Sequence, residues 1–425
     1  MRVKKGYGQE ETMTDTLLDL IQGADVKWKT LGEVGEFVRG NGMQKKDFVE
    51  SGFPAVHYGQ IYTRYGLSAD KTFSFVSEEL AGKLRIADTN DLLIATTSEN
   101  DEDVCKSVAW LGGKVAISGD MMFFRHHENV KYLMYYFHSE SFQKDKKGKI
   151  TGTKVRRVSS ADLAKIKIPI PSLEIQKKVV KILDKMTDYV TELTAELTAE
   201  LTLRQKQYAY YRDQLLTFPG QSDSDESLSV RWLKMGEFGE FIRGNGMQKK
   251  DFVESGFPAI HYGQIYTKYG LTADETFTFV TDELASKLKI ADKNDLIIAT
   301  TSENVEDILK PLAWLGGKVA IGGHESLFRH NENVKYLAYY FQTTEFQQMK
   351  QKYIVGTKVK DISKENLSNL TVPLPPLKVQ SKIVEILDKF DKLTSDLTEG
   401  LPHEIELRQK QYEYWREQLL SFKKE

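Results

Sequence analysis

The chain has one cysteine, Cys105, in 425 residues. That excludes an internal disulfide framework and any cysteine-rich zinc site, and it suits a reducing cytoplasm. Cys105 aligns with Leu309 in an internal repeat, so a buried hydrophobe is its expected role. No apolar run approaches the roughly 18–20 residues that a membrane span needs. The start, Met1-Arg2-Val3-Lys4-Lys5-Gly6, has none of the apolar stretch of a signal peptide. Met13 directly precedes a helical pattern (Leu17, Leu18, Leu20, Ile21), so residues 1–12 read as a disordered tail or an upstream start. Charge of one sign is also missing: 59 basic and 61 acidic side chains leave a net charge of −2. Free-standing DNA binders usually carry a basic excess, because phosphate neutralisation supplies most non-specific affinity. A nucleic-acid surface here must therefore be a local cluster of cations, or partner chains must add charge.

Motifs of catalysis are missing too. There is no Gly-x-x-x-x-Gly-Lys-Ser/Thr phosphate loop, no Gly-x-Ser-x-Gly elbow and no His-Glu-x-x-His pair. Nor is there a Gly-rich cofactor loop paired with Asn/Asp-Pro-Pro-Tyr. The eight histidines are scattered, and His126-His127 becomes His330-Asn331 in the repeat. No catalytic residue, bound cofactor or metal site is expected of the chain.

What the sequence does have is itself, twice. Trp28 through Phe218 aligns with Trp232 through Phe422 at a constant offset of 204 without a gap, and about 118 of the 191 positions are identical. A period of this length makes each copy a whole domain rather than a solenoid repeat. Two such copies can fold with internal pseudo-twofold symmetry, imitating a dimer in one chain. The longest shared blocks are Arg39 through Phe48 with Arg243 through Phe252, His57 through Thr63 with His261 through Thr267, and Ala95 through Asn100 with Ala299 through Asn304.

The first part of each copy is rich in short β-branched and aromatic runs punctuated by Gly, Asn and Asp, as strands and turns require. Such runs include 56–58, 61–62, 72–76, 91–95 and 114–117; 79–84 and 130–137 read as helices. Proline junctions, Pro169 and Pro171 in one copy and Pro373, Pro375 and Pro376 in the other, end the globular parts and admit a helix. The first long helix carries a seam at Val179, Leu183, Met186, Val190, Leu193, Leu197, Leu201 and Tyr208, stepping mostly by three and four. A Thr-Ala-Glu-Leu tandem at 194–201 inserts a stutter there. The second helix keeps Ile383, Leu387, Phe390, Leu397, Leu401, Ile405, Tyr412 and Trp415, but Gly400 and Pro402 should kink or break it.

The expected fold is α+β: two pseudo-symmetric strand-rich domains separated by two long helices packed as an antiparallel coiled coil. The boundaries are 1–170 for the first domain, 171–218 for its helix, 219–231 for a polar linker, 232–374 for the second domain and 375–425 for its helix. A helix of 44 residues would reach roughly 66 Å, long enough to act as a ruler.

The shared polar blocks are the candidate site. Arg39, Asn41, Gln44, Lys45 and Lys46 lie in a Gly-rich loop, with Arg243, Asn245, Gln248, Lys249 and Lys250 in the second copy. Arg and Asn/Gln read guanine and adenine edges bidentately, and Lys suits phosphates. The same composition also suits a turn with solvated charges. Gln60 and Gln264 are base-contact candidates on an expected strand; His57 and Tyr58 suit a half-buried strand instead. The basic turn Gly152-Thr153-Lys154-Val155-Arg156-Arg157 offers backbone amides and cations for phosphate, or plain surface charge. Its counterpart keeps Lys358 and Lys360 but replaces Arg157 with Asp361.

Taken together, these features resemble the specificity subunits of type I restriction–modification systems. The carrying residues are the start 17–24 (Leu-Leu-Asp-Leu-Ile-Gln-Gly-Ala), the Gly-Asn-Gly-Met-Gln-Lys-Lys-Asp-Phe blocks, Gly152 through Arg157, the proline junctions, the Leu-Arg-Gln-Lys-Gln-Tyr segments at 203–208 and 407–412, and the Thr-Ala-Glu-Leu tandem. Gly400-Leu401-Pro402 departs from that tandem, so the two helices are not alike.

The resemblance implies a cytoplasmic, non-catalytic DNA-binding subunit of bacterial defence. Each of two target-recognition domains would read half of an interrupted duplex site. Two modification (methyltransferase) subunits would dock on the helices, and ATP-dependent restriction subunits would join them. S-adenosylmethionine, ATP and Mg would belong to those partners. Like domains imply like half-sites, hence a near-palindromic interrupted target; segments 118–123 against 322–327 and 138–149 against 342–353 differ most. The alternatives are a coiled-coil scaffold whose globular domains bind protein, and the specificity subunit of a bifunctional enzyme that cuts beside its site.

Overall fold

A computed structural model describes residues 23–218, 230–395 and 400–422. The helical pattern at 17–21, the tail 1–12, linker residues 219–229 and Leu397 lie outside the described residues. The chain forms two compact units, residues 1–194 with 407–425, and residues 195–406.

Within the first unit a five-stranded sheet has the order Gly35–Arg39, Met121–His126, Leu92–Ala95, Ser107–Trp110, Ser68–Ala69. A four-stranded sheet has the order Ser74–Val76, Phe53–Val56, Val115–Ile117, Arg85–Ala87. Short apolar strands buried on both faces explain the run Leu92-Leu93-Ile94-Ala95, in which every residue is buried. Helix Val130–Phe137 covers the five-stranded sheet with Tyr132, Leu133, Tyr135, Tyr136 and Phe137, all buried. The second unit repeats both strand orders 204 residues later. Cys105 is fully buried in the core, and burial pushes its thiol up to about 12. It is an inert core residue there, as expected.

One segment differs from the sequence reading. The runs 56–58 and 61–62 are expected as strand, but Tyr58–Thr63 is a short helix, repeated at Tyr262–Thr267. The cause is local. The His57 ring Nδ1 accepts from the Gly59 amide at 3.2 Å, and Gln60 Oε1 accepts from the His57 amide at 3.0 Å. This is a capping box in which histidine stands where serine or threonine usually does.

The first copy's spacer is one unbroken helix, Leu173–Leu216, 44 residues long. The second copy's spacer is two helices, Leu377–Ser395 and Leu401–Leu420. The second of these begins at Leu401, with Pro402 in its first turn where a missing amide costs nothing. In the first unit Val179, Val180 and Leu183 share a core with Leu419, Leu420 and Phe422, and Thr187 Oγ1 lies 3.0 Å from the Tyr412 hydroxyl. The two segments therefore run antiparallel. In the second unit Leu215 and Leu216 share a core with Ile383, Val384 and Leu387, and Tyr211 stacks on Phe390 at 5.7 Å. These segments are antiparallel as well. Met186, Val190, Leu193, Leu197, Leu201, Phe390, Ile405 and Trp415 are half-buried, whereas Val179, Leu183, Ile383, Leu387, Tyr208 and Tyr412 are buried.

Each head is locked to its own spacer. Asp184 accepts from Lys131 Nζ at 2.8 Å and Tyr135 hydroxyl at 2.9 Å. Gln176, fully buried, accepts from the Asn129 amide at 2.9 Å and donates to Glu128 at 2.7 Å and to the Pro171 carbonyl at 2.9 Å. Asp388 and Gln380 repeat both arrangements. With these polar groups satisfied, the junction is rigid rather than a swivel.

Candidate nucleic-acid interface

The Gly-rich loop leaves strand Gly35–Arg39 through two glycines that its path favours. A Cβ on Gly40 would lie 2.1 Å from the Ser118 carbonyl oxygen, and Gly42 has φ +58°. Between them the Asn41 amide bridges the neighbouring strand edge, donating to the Lys83 carbonyl at 2.8 Å and accepting from the Arg85 amide at 2.8 Å. Asn245 does the same with Lys287 and Lys289. One donated and one accepted bond on each amide make Asn41 and Asn245 pins of the loop.

Beyond the pin, Met43 is buried under the loop, and the Gln44 amide donates to Asp47 at 2.7 Å across the short turn Lys45–Asp47. Gln44, Lys45 and Lys46 are left exposed on a fixed backbone, as are Gln248, Lys249 and Lys250. Arg39 is exposed at the loop's root with its Nε on the Gly119 carbonyl at 3.3 Å.

Gln60 is engaged within the fold as well. It is only 8% exposed; its Oε1 serves the capping box and its Nε2 donates to Ser74 Oγ at 2.7 Å. Gln264 is equally buried, with Oε1 on the His261 amide and the Thr278 hydroxyl. Each Oε1 is committed to its own helix cap. His57 lies beneath Phe48, edge-on at 6.1 Å, and burial, then the Lys45 charge, lowers its pKa.

The basic turn 152–157, distant in sequence, converges on the same patch. Gly152 has φ +91°, and Arg156 closes the turn by donating to the Gly152 carbonyl at 2.5 Å. Arg156 also forms an ion pair with Asp101, Nε to Oδ1 at 2.9 Å. Lys360 plays that part in the second copy, donating to the carbonyls of Gly356 and Thr357 at 3.0 Å each. Arg156 and Lys360 thus hold the turn, while Lys154, Arg157 and Lys358 stand exposed.

Residues 156–157 pair antiparallel with Thr97–Ser98, Arg157 opposite Thr97, and 360–361 pair with Thr301–Ser302 in the same register. Arg243 Nη2 lies 3.6 Å from Asp361 Oδ2, which ties the Gly-rich loop to the basic turn directly. In the first unit the same two places hold two cations, Arg39 and Arg157.

Sequence reasoning marked one element of the patch only as a stretch where half-site differences could lie, the turn 118–120 within 118–123. Gly119 receives Arg39, and Asp120 Oδ1 accepts from Thr97 Oγ1 at 3.0 Å. The signal was present, because this segment differs between otherwise near-identical copies. Among the described residues no group of three or more His, Cys, Asp or Glu could hold a metal ion, and no helix is long and apolar enough to cross a membrane.

Each unit is therefore a strand-rich head carrying one polar patch on a pinned backbone and clamped to a spacer helix. The chain belongs to the type I restriction modification DNA specificity domain family, whose profile matches twice, at residues 24–203 and 230–407. It is 33% identical over 425 residues to the specificity subunit of the type I restriction enzyme EcoR124I/EcoR124II of Escherichia coli, covering 95% of this chain and 96% of that one. A putative type I restriction enzyme specificity subunit of Haemophilus influenzae is 29% identical over 428 residues, covering 95% and 97%. Among solved structures, a chain from a study of assembly and conformational transition in a type I R-M system aligns with TM-score 0.67 at 17% identity, covering 94% of this chain and 98% of that one. The HsdS subunit from Thermoanaerobacter tengcongensis aligns with TM-score 0.50 at 16% identity, covering 93% and 95%. At those identities the likeness establishes the fold.

Proposed function

We propose that this chain is the sequence-reading subunit of a type I restriction–modification complex, with each head reading one half of an interrupted duplex target. The observation that carries this reading is the patch found once in each unit. In the first unit it presents exposed Lys45, Lys46, Lys154 and Arg157 beside exposed Arg39 and Gln44, on backbones pinned by Asn41 and Gly40; the second unit keeps all of these but Arg157, which is Asp361 there. Lysines on such a surface meet phosphates and set the register, whereas Arg and Gln reach base edges. Net charge of −2 fits this arrangement, because the cations are concentrated rather than numerous.

Methyl transfer and cleavage, with S-adenosylmethionine, ATP and Mg, belong in this proposal to two modification subunits and to restriction subunits. The unbroken helix Leu173–Leu216, which passes from one unit into the other, supports a role as the ruler that sets the gap between half-sites. Binding of the assembled complex to duplex DNA across a salt series tests the reading. Affinity should fall steeply and linearly in log–log form. Salt-independent binding, or none, would favour a protein-binding scaffold instead.

A further inference from the structure

The two patches match at Arg39/Arg243, Gln44/Gln248, Lys45/Lys249, Lys46/Lys250, Tyr58/Tyr262 and Thr97/Thr301. Besides Arg156/Lys360 and Arg157/Asp361 in the basic turn, they differ where a turn crosses beside the Gly-rich loop, Ser118-Gly119-Asp120 against Gly322-Gly323-His324. The turns share their backbone placement. The Thr96 amide donates to the Asp120 carbonyl at 2.9 Å, and the Thr300 amide donates to the His324 carbonyl at 2.9 Å. Each side chain also leans on the same threonine: Thr97 Oγ1 donates to Asp120 Oδ1 at 3.0 Å, and Thr301 Oγ1 lies 3.1 Å from His324 Nδ1.

One atom of each side chain is used in this way, which leaves the other available for a further bond. Asp120 offers Oδ2, an acceptor. If Thr301 donates as Thr97 does, His324 Nδ1 is the accepting nitrogen and Nε2 carries the proton, so His324 offers a donor. His324 is exposed and packs against Tyr262 at 4.9 Å with the rings tilted by 53°. An acid on the turn that receives Arg39 would repel phosphate, but it suits the exocyclic amino group of a base.

Resting on the DNA-reading proposal above, we infer that Asp120 and His324 are the residues that make the two half-sites differ. Asp120 reads an amino-bearing base edge, cytosine N4 or adenine N6. His324 reads an acceptor edge, guanine O6 or N7 or thymine O4.

The exchange is structurally permitted, because each residue already occupies that turn over the same threonine in the other copy. The test is selection of duplexes from a randomised library by the assembled complex, using the natural chain, Asp120→His, His324→Asp and the double exchange. The natural chain should select two similar half-sites that differ at one base pair. Asp120→His should convert that pair in the first half to the second half's choice, by roughly ten- to a hundred-fold in preference. His324→Asp should do the converse, and the double exchange should swap the halves. An interrupted motif unchanged by either single exchange overturns this inference while leaving the DNA-reading proposal intact. Loss of selection by both single variants overturns it as well, since both residues are native to the turn. No interrupted motif with the natural chain contradicts the broader reading.

Discussion

Replacing Lys45 and Lys46 together with alanine separates a phosphate contact from a base contact. Both residues are exposed, on a short turn whose backbone is fixed by the Gln44 amide on Asp47 and by buried Met43. Their removal should leave folding within about 0.5 kcal/mol of the natural chain, as is usual for surface substitutions. Each phosphate contact contributes about 0.9 to the slope of log affinity against log salt, so losing two should flatten it by about 1.8. Between 50 and 200 mM salt, the natural complex should then lose roughly 12-fold more affinity than the variant does. Fluorescence anisotropy of the assembled complex on duplexes with correct and scrambled half-sites reads both quantities. Affinity at low salt should drop alike for both duplexes, because lysines on phosphates carry no sequence information. Lys249 and Lys250 should give the same flattening, and all four substitutions together about twice as much. An unchanged slope, or a change confined to the correct duplex, would refute the assignment of these lysines to phosphate.

Asn41→Ala removes both bonds that pin the loop to Lys83 and Arg85, at a cost of about 1–3 kcal/mol. It should abolish selectivity for one half-site while the other persists; loss of both, or of neither, contradicts the loop-pin assignment. Glu325 is fully buried where Met121 stands in the first copy, and burial raises its pKa well above the ordinary 4.5. A carboxyl with a raised folded pKa contributes stability below its unfolded value and loses it as pH rises towards the folded value. Glu325→Gln should therefore melt higher than the natural chain at pH 8, with the difference fading towards pH 4; a lower melting temperature at pH 8 counts against this. Deleting one Thr-Ala-Glu-Leu from 194–201 shortens the helix by about 6 Å, on the order of one to two base-pair rises. The gap in the recognised site should shrink with the half-sites unchanged, and a constant gap refutes the ruler.

The architecture was largely legible because duplication exposes itself and because strands such as Leu92–Ala95 are continuous apolar runs. The antiparallel spacers were legible too, since the seam residues Val179, Leu183 and Tyr412 repeat at helical spacing. The site was less so, and the reasons are local. His57 and Gln60 build a helix cap from residues that alternate like a strand. Asn41 bonds to residues 42 and 44 positions away, beyond the range of any local pattern. The meeting of Arg243 with Asp361 spans 118 positions, so two motifs that read as separate loops are one patch. Asp120 and His324 were visible only as a departure between copies, and their shared threonine gives that departure a chemical meaning.

Sequencing of methylated bases in cells that carry this chain with its partner subunits tests the central claim most directly. Two short, closely similar half-sites in opposite orientation, separated by a fixed run of unspecified bases and methylated on adenine, are the predicted result. A continuous motif, or no motif in cells whose modification subunits are active, would contradict the reading of two heads on a common ruler.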